Sequence, residues 1–475
     1  MPTYLTTIGL EIHLKLKTAC KIFCRCQNEQ NFDSPPNQHI CPVCTGQPGA
    51  LPLLNQECVD KAVLFGRLIN ADIQPFSSFD RKNYFYPDLP MGFQITQFYQ
   101  PIIQGGTVNY RIKGFEEEKK AEIHEAHLEN DTAKMIHENG QTLLDFDRAG
   151  TPLIEIVSEP TFSSAQEAVE YAKEIQRLVR RNDISDADME KGQMRIDVNL
   201  SIRKNESDPL GIRTEMKNIN TFNAMKRAIE TEYLRQKEII ESGGEVQQET
   251  RRRDDMKGES FMMRSKADAV DYRYFPEPDM PILQLHLDED QSDLFIPSSY
   301  IQKCKQEFGF SKEYINTLLN DKQLFDFFFE MVKKGFEPKN VAKWIAGPLM
   351  KSGISSEEFL REYSQLFISF LEEEKKGNLM DNQLKIVFDE TLETKLSPAE
   401  IIKIKGFDVL AMDEDALKAI IQEVISDNPV QVEQYRTGKE TLLAFFLGQV
   451  MRKSGGKVSP QVAQGLIKST LVQNQ

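Results

Sequence analysis

Glu11 and His13 stand two residues apart in the stretch LTTIGLEIHLKL, and a carboxylate and an imidazole so spaced can hold a divalent cation or act as an acid/base pair. Further on, IHEAHLEND repeats the spacing with Glu125, His127, Glu129 and Asp131, and TPLIEIV sets Glu155 alone among apolar residues. A carboxylate in a buried strand is expensive unless paired or metal-bound, so Glu155 is the most informative acid in the chain. This inventory suits a hard cation such as Mg²⁺, which takes oxygen ligands and bridges phosphates. A solvated polar face is the bland account of each stretch.

Cysteines form a second group. Cys24-x-Cys26 and Cys41-x-x-Cys44 flank fourteen residues that include Pro and Asn, a layout that supplies four thiolates to a tetrahedral structural zinc. Cys20 and His39 are possible substitutes, and unpaired buried thiols are the alternative. Four protein ligands would leave zinc no open position for chemistry.

Basic residues beside aromatics form a third. Arg81 and Lys82, next to Tyr84, Phe85 and Tyr86, could serve phosphate and a stacked base or adenine, with rings packed under a loop as the alternative. Arg195, Lys217, Arg264, Lys266 and Arg273 are further candidate phosphate contacts, although basic side chains more often lie on a solvated surface. Thr441 to Gln475 contains Arg452, Lys453, Lys457 and Lys468 and no acidic side chain, a local reversal of sign that fits contact with nucleic-acid phosphates.

These residues need elements to hold them. Ile8, Leu10, Ile12, Leu14 and Leu16 alternate with polar positions, the signature of a strand with one buried face. QMRIDVNLSIR alternates in the same way. Ser164 to Asn182 reads as a helix opened by a Ser164/Glu167 capping box, and Phe222 to Ser242 as a helix ended by Gly243-Gly244. FPEPDMP and LDEDQSD mark a boundary near 290, after which amphipathic helical patterns such as Leu318 to Lys334 take over. The expected fold is α+β: a β-rich domain over 1–295, a helical domain over 296–405 and a small helical tail over 406–475.

Composition narrows the classes. A chain of 475 residues with 40% hydrophobic and 28% charged residues describes about three ordinary globular domains. No apolar run approaches the roughly 18 residues of a spanning helix, and the N-terminus lacks a signal-peptide layout, so cytoplasmic and no membrane are the expectations. Five of seven cysteines crowd between Cys20 and Cys44, which fits metal binding in a reducing compartment. Net charge −15 argues against a protein that coats nucleic acid with its whole surface. There is no G-x-x-x-x-G-K-[ST] loop, no G-x-G-x-x-G after a strand and no G-x-S-x-G elbow.

IGLEIHLKLKT, CPVCTGQPGALPLLN, DRKNYFYPDLPMGFQITQ, DFDRAGTPLIEIVSEP, RTEMKNINTF and DYRYFPEPDMP together resemble the B subunits of bacterial aspartyl/glutamyl-tRNA amidotransferases, and GQVMRKSGGKVSPQVAQGLI resembles their C-terminal tail. The resemblance spans nearly the whole chain. It implies a cradle-shaped catalytic domain, a helical domain and a helical tail. It also implies ATP- and Mg²⁺-dependent phosphorylation of the side-chain carboxylate of mischarged Glu-tRNA(Gln) or Asp-tRNA(Asn). Ammonia from a partner amidase, the glutaminase of the complex, would then displace phosphate, and a third, small protein would clamp the assembly. The family's metal positions match Glu11, His13, Glu129 and Glu155, and its zinc site matches Cys24, Cys26, Cys41 and Cys44.

Two departures stand out. Where the family has Glu-Glu-Asp, this chain has Glu129-Asn130-Asp131, which predicts a metal site with altered charge balance. The preceding His124-Glu125-Ala126 differs from the usual apolar-basic run. The competing function is a zinc-stabilised tRNA-binding scaffold without chemistry; a metal-dependent hydrolase is a weaker third.

Overall fold

The computed structural model describes residues 4–28, 35–112, 118–254, 259–265, 271–285, 287, 297–407, 414–455, 458 and 460–473. The chain divides into two compact units, Met1–Gln302 and Lys303–Gln475. The first is sheet-rich and the second helical, as expected for an α+β chain.

In chain order the first unit runs β1 (Leu5–Lys15), α1 (Gln56–Leu68), β2 (Asp72–Ile73), β3 (Phe76–Ser77), β4 (Asp80–Asn83), β5 (Phe93–Thr96) and β6 (Ile103–Gln104). Next come β7 (Thr107–Arg111), β8 (Glu118–Asn130), β9 (Lys134–Glu138), β10 (Gln141–Asp145), β11 (Pro152–Ser158) and α2 (Ala165–Arg181). It closes with β12 (Met194–Arg203), β13 (Thr214–Ile219), α3 (Phe222–Glu241), β14 (Glu249–Asp254), β15 (Glu259–Ser265), β16 (Phe275–Pro276) and β17 (Leu283–Gln284).

The main sheet is ordered β15-β14-β13-β12-β1-β11-β8-β6-β2, with β7 also on β8. β1 lies between β11 and β12, both antiparallel to it. Its apolar positions Ile8, Leu10, Ile12 and Leu14 are buried in one core with Ala168, Ile175 and Val179 of α2 and Met225 and Ile229 of α3. That burial decides which face the polar positions take, because strand side chains alternate. Glu11 and His13 are therefore on the face opposite the helices.

Helix ends follow the sequence closely. Ser164 Oγ accepts from the Glu167 amide, but the Glu167 carboxylate accepts from the amide and hydroxyl of Ser163 (2.7 and 2.8 Å), so the expected box is shifted by one residue. In the second unit the single helix expected over Leu318 to Lys334 is two helices, Lys312–Asn320 and Lys322–Lys333. Asp321 separates them: its backbone is extended and its carboxylate accepts from the Leu324 amide at 3.0 Å, starting a new helix. Near the C-terminus, Glu414–Asp427, Pro429–Arg436, Leu442–Lys453 and Pro460–Gln473 bury Ile421, Val424, Phe446, Val450 and Ile467 together. Among the described residues no helix is long and apolar enough to cross a membrane.

Candidate metal and phosphate site

Register brings the scattered acids together. His13 on β1 stands opposite Glu155 on β11, and Glu155 stands opposite His127 on β8. Three separate stretches of sequence thus make one row across the sheet. Glu155 Oε2 lies 3.2 Å from His13 Nε2 and 3.3 Å from His127 Nε2. Glu129 Oε1 is 3.5 Å and Glu11 Oε1 3.9 Å from the same His13 nitrogen.

The electrostatics follow from that crowding. Burial works against the Glu155 carboxylate, yet His13 and His127 hold it well below the usual range. Burial likewise disfavours the His13 imidazolium, but Glu155, Glu129 and Glu11 raise it to about 9. Burial and the charge of Glu155 push Glu11 up to about 7.

The residues fit a cation. Glu11, His13 and Glu155 offer ligand atoms within 4.8 Å of one another, and so do His127, Glu129 and Glu155. Two buried atoms in the cluster, Glu129 Oε2 and His127 Nδ1, have no hydrogen-bond partner among the described residues. A donor set dominated by carboxylates favours a hard divalent ion.

Ion pairs rim the cluster. Arg195, opposite His13 on β12, donates to Asp131 at 2.8 Å. Lys217 Nζ lies 2.8 Å from Asp197 and 3.0 Å from Glu215. Lys82 on β4 makes no ion pair among the described residues and lies 5.2 Å from the Tyr272 ring centroid. Burial opposes its ammonium, but Glu129 and Glu155 hold its pKa above the ordinary value.

The cysteine centre is separate. Sulfurs of Cys24, Cys26, Cys41 and Cys44 lie within 4.8 Å of one another, with Cys41 and Cys44 3.8 Å apart. A tetrahedral centre with Zn–S bonds of about 2.3 Å has sulfur–sulfur edges of about 3.8 Å, so the set fits zinc. Cys20 and His39 stay outside it; Cys20 bridges to Gln27, and the His39 amide donates to Asp147. Lys21, with 0% exposure, donates to the Phe146 carbonyl at 3.2 Å and has no carboxylate within ion-pair distance among the described residues. Together with a hydrogen bond from Cys24, its charge holds the Cys44 thiol down at about 5.

Residues 6–291 match the GatB/GatE catalytic domain, and residues 326–471 match the GatB domain. The chain belongs to the GatB family. It is 38% identical to the B subunit of the aspartyl/glutamyl-tRNA(Asn/Gln) amidotransferase of Brevibacillus brevis, across 99% of each chain. It is 40% identical to the protein of that name from Synechocystis sp., over 99% of this chain and 98% of the relative. The relative of that name from Persephonella marina is 38% identical over 98% of each chain.

Seen as a GatB-family site, the candidate residues sort by their surroundings. Glu11, His13, Glu129 and Glu155 converge, and His127 joins them. Alternation along the strand places His127 on the shared face without marking it as a ligand. Its position opposite Glu155 is a register fact, and spacing within one strand cannot reveal register to another. Arg81 is held by Glu277 through two bonds of 2.8 Å and stacks 4.1 Å over Phe93, a structural commitment. Tyr84 packs edge-on against Tyr272, and Arg273 is exposed. Lys266 lies outside the described residues, and only the backbone of Arg264 is described.

Asn130 corrects an expectation. Its side-chain Oδ1 accepts from the Ile95 amide at 2.7 Å, on the opposite side of β8 from Glu129. The Asn130 side chain is therefore directed to β5 and not to the cluster of Glu11, His13, Glu129 and Glu155. In the tail, Lys453 pairs with Glu423 and Asp427 of the helix Glu414–Asp427, so a stretch without acids in sequence is not free of them in space. Arg452 donates to Gln449, Lys468 is exposed, and Lys457 lies outside the described residues.

Proposed function

We propose that this chain is the B subunit of a tRNA-dependent amidotransferase and that its sheet-face cluster activates the amino acid on mischarged Glu-tRNA(Gln), Asp-tRNA(Asn) or both. The observation that carries the reading is the row His13–Glu155–His127 flanked by Glu11 and Glu129: a buried carboxylate so supported has no use in a scaffold.

A side-chain carboxylate is a poor electrophile, since its charge repels nucleophiles and its oxygen leaves badly. One of its oxygens attacks the γ-phosphorus of ATP, the bond to ADP breaks, and an acyl phosphate results. Ammonia adds to the acyl carbon, the bond to phosphate breaks, and the nitrogen loses a proton. Glu11, His13, Glu129 and Glu155, with His127, would hold Mg²⁺, which would supply charge neutralisation for the ATP phosphates. Lys82 is the cation best placed for the transferred group, since Arg81, Arg195 and Lys217 are paired with acids. Arg195 and Lys217 shape the rim of the cleft.

Four thiolates hold a structural zinc. Chemistry belongs to 1–295, followed by a helical domain over 296–405, and the 406–475 tail meets tRNA through Arg452, Lys457 and Lys468. Ammonia comes from the partner amidase, a glutaminase, and a third, small protein completes the assembly. The test is ATP hydrolysis and amide formation by the reconstituted complex with each mischarged tRNA. No ATP hydrolysis with any mischarged tRNA, in a complex that still binds it, would favour the zinc-stabilised scaffold.

A further inference from the structure

β8 carries His127 and Glu129 on a stretch of edge that, among the described residues, no strand covers on the side away from β11. β7 pairs with β8 only over 118–122, and β6 only at Glu125 and Ala126. Beyond Ala126, every second residue of an antiparallel edge turns its amide and carbonyl outward, here Leu128 and Asn130. Left bare and buried, those groups would destabilise the edge.

Side chains take the place of the missing strand. Gln97 Oε1 accepts from the Leu128 amide at 2.9 Å, and Gln94 Nε2 donates to the Asn130 carbonyl at 2.8 Å. The Asn130 side chain returns the contact by accepting from the Ile95 amide at 2.7 Å. Gln97 is itself fixed by donating to Ser77 Oγ at 2.7 Å. Gln94, Gln97 and Asn130 are all buried. The bonds therefore grip the backbone on both sides of Glu129.

The strand paired with the gripping one carries the phosphate candidate. Gln94 on β5 stands opposite Lys82 on β4. Fixing β5 to β8 by side chains, not by a continued ladder, leaves β5 in a separate sheet with β4 and β16 that carries Lys82. We propose that Gln97, with Gln94 and Asn130, is a positioning clamp that sets Glu129 and Lys82 at the separation needed to hold a metal–phosphate unit between them. The proposal rests on the reading of Glu129 as a metal ligand. Loosening the clamp lets Glu129 drift from the cation while leaving the tRNA surface untouched.

The test uses the reconstituted complex, with Mg²⁺ and ATP as probes. Gln97→Leu removes both bonds at similar volume; Gln97→Glu keeps the acceptor for Leu128 and gives up only the bond to Ser77, whose hydroxyl donates to the Gln100 carbonyl at 2.7 Å. For Gln97→Leu we expect the Mg²⁺ concentration giving half-maximal ATP hydrolysis to rise about tenfold, the effect of an outer-shell loss. The KM for mischarged tRNA should stay within about twofold. Gln97→Glu should return the Mg²⁺ requirement to near the parent value. If Gln97→Leu does not assemble, Gln94→Met, which removes only the donor to Asn130, should raise the requirement in the same direction. A lowered melting temperature with an unchanged Mg²⁺ requirement in either variant overturns the clamp. Glu155→Gln separates the two readings: full Mg²⁺-dependent hydrolysis there would sink the metal site itself, whereas its loss beside an unaffected Gln97→Leu sinks only the clamp.

Discussion

His13 and Glu155 face each other across neighbouring strands with Nε2 and Oε2 3.2 Å apart, and that contact is the hinge of the site. The oxygen that His13 reaches is also within 3.3 Å of His127, so one carboxylate ties the cluster together. Replacing the carboxylate by an amide keeps the shape and removes the charge. Glu155→Gln should lower amide formation and tRNA-stimulated ATP hydrolysis by more than about a hundredfold, because a neutral amide is a poor ligand for a hard cation. Glutamine hydrolysis by the partner amidase should persist. Undiminished transamidation would disprove the assignment.

The cysteine centre makes a prediction about metal content. The purified chain should carry about one zinc, lost from the Cys41→Ser/Cys44→Ser double variant. Lys21 is the more telling position. Four thiolates around a divalent ion leave a net negative charge, and a fully buried ammonium with one carbonyl partner needs such a counter-charge. Lys21→Met should weaken zinc retention against a chelator about 10- to 100-fold, and Lys21→Arg should recover part of it. Equal retention in Lys21→Met and the parent would count against the electrostatic role.

Basic residues in the tail should differ in their effect on tRNA. Lys468 is exposed, whereas Lys453 is shared between Glu423 and Asp427. Lys468→Ala should flatten the log–log salt dependence of tRNA binding by about one unit, and Lys453→Ala by clearly less. Turnover at saturating tRNA should stay near that of the parent. Equal slopes for both variants would show that the acids do not withhold Lys453.

Glu167 should shape acid stability. Burial disfavours its carboxylate, but hydrogen bonds from Lys119 and Ser163 hold its pKa below the ordinary value. A folded-state pKa lower than the unfolded one means that the folded chain binds fewer protons. The stabilisation is present above the ordinary carboxylate range and is lost as pH falls through the folded value. Glu167→Gln should cost about 1 kcal/mol at neutral pH and flatten the decline of melting temperature on acidification. Parallel pH profiles for the two proteins would refute the assignment.

Much was legible in the sequence because alternation and capping are local. The period-2 pattern of LTTIGLEIHLK, the lone acid in PLIEIVS and the Ser164 cap report on neighbouring residues in the chain, and β1, β11 and α2 formed there. Cysteine spacing was legible for the same reason, since each pair lies within a few residues. A helical pattern was less reliable where a single side chain competes for the backbone, as Asp321 does in ending one helix and capping the next.

Sequence by itself determined which residues share a face, because side-chain direction is set by strand and helix period. Tertiary structure alone decided which faces meet. Strand register put His127 beside Glu155, made Asn130 a backbone partner of β5 instead of a metal neighbour, and tied Arg81 to Glu277 across 196 positions of sequence. Register comes from the simultaneous burial of many apolar side chains against α2 and α3, a sum that no local window contains.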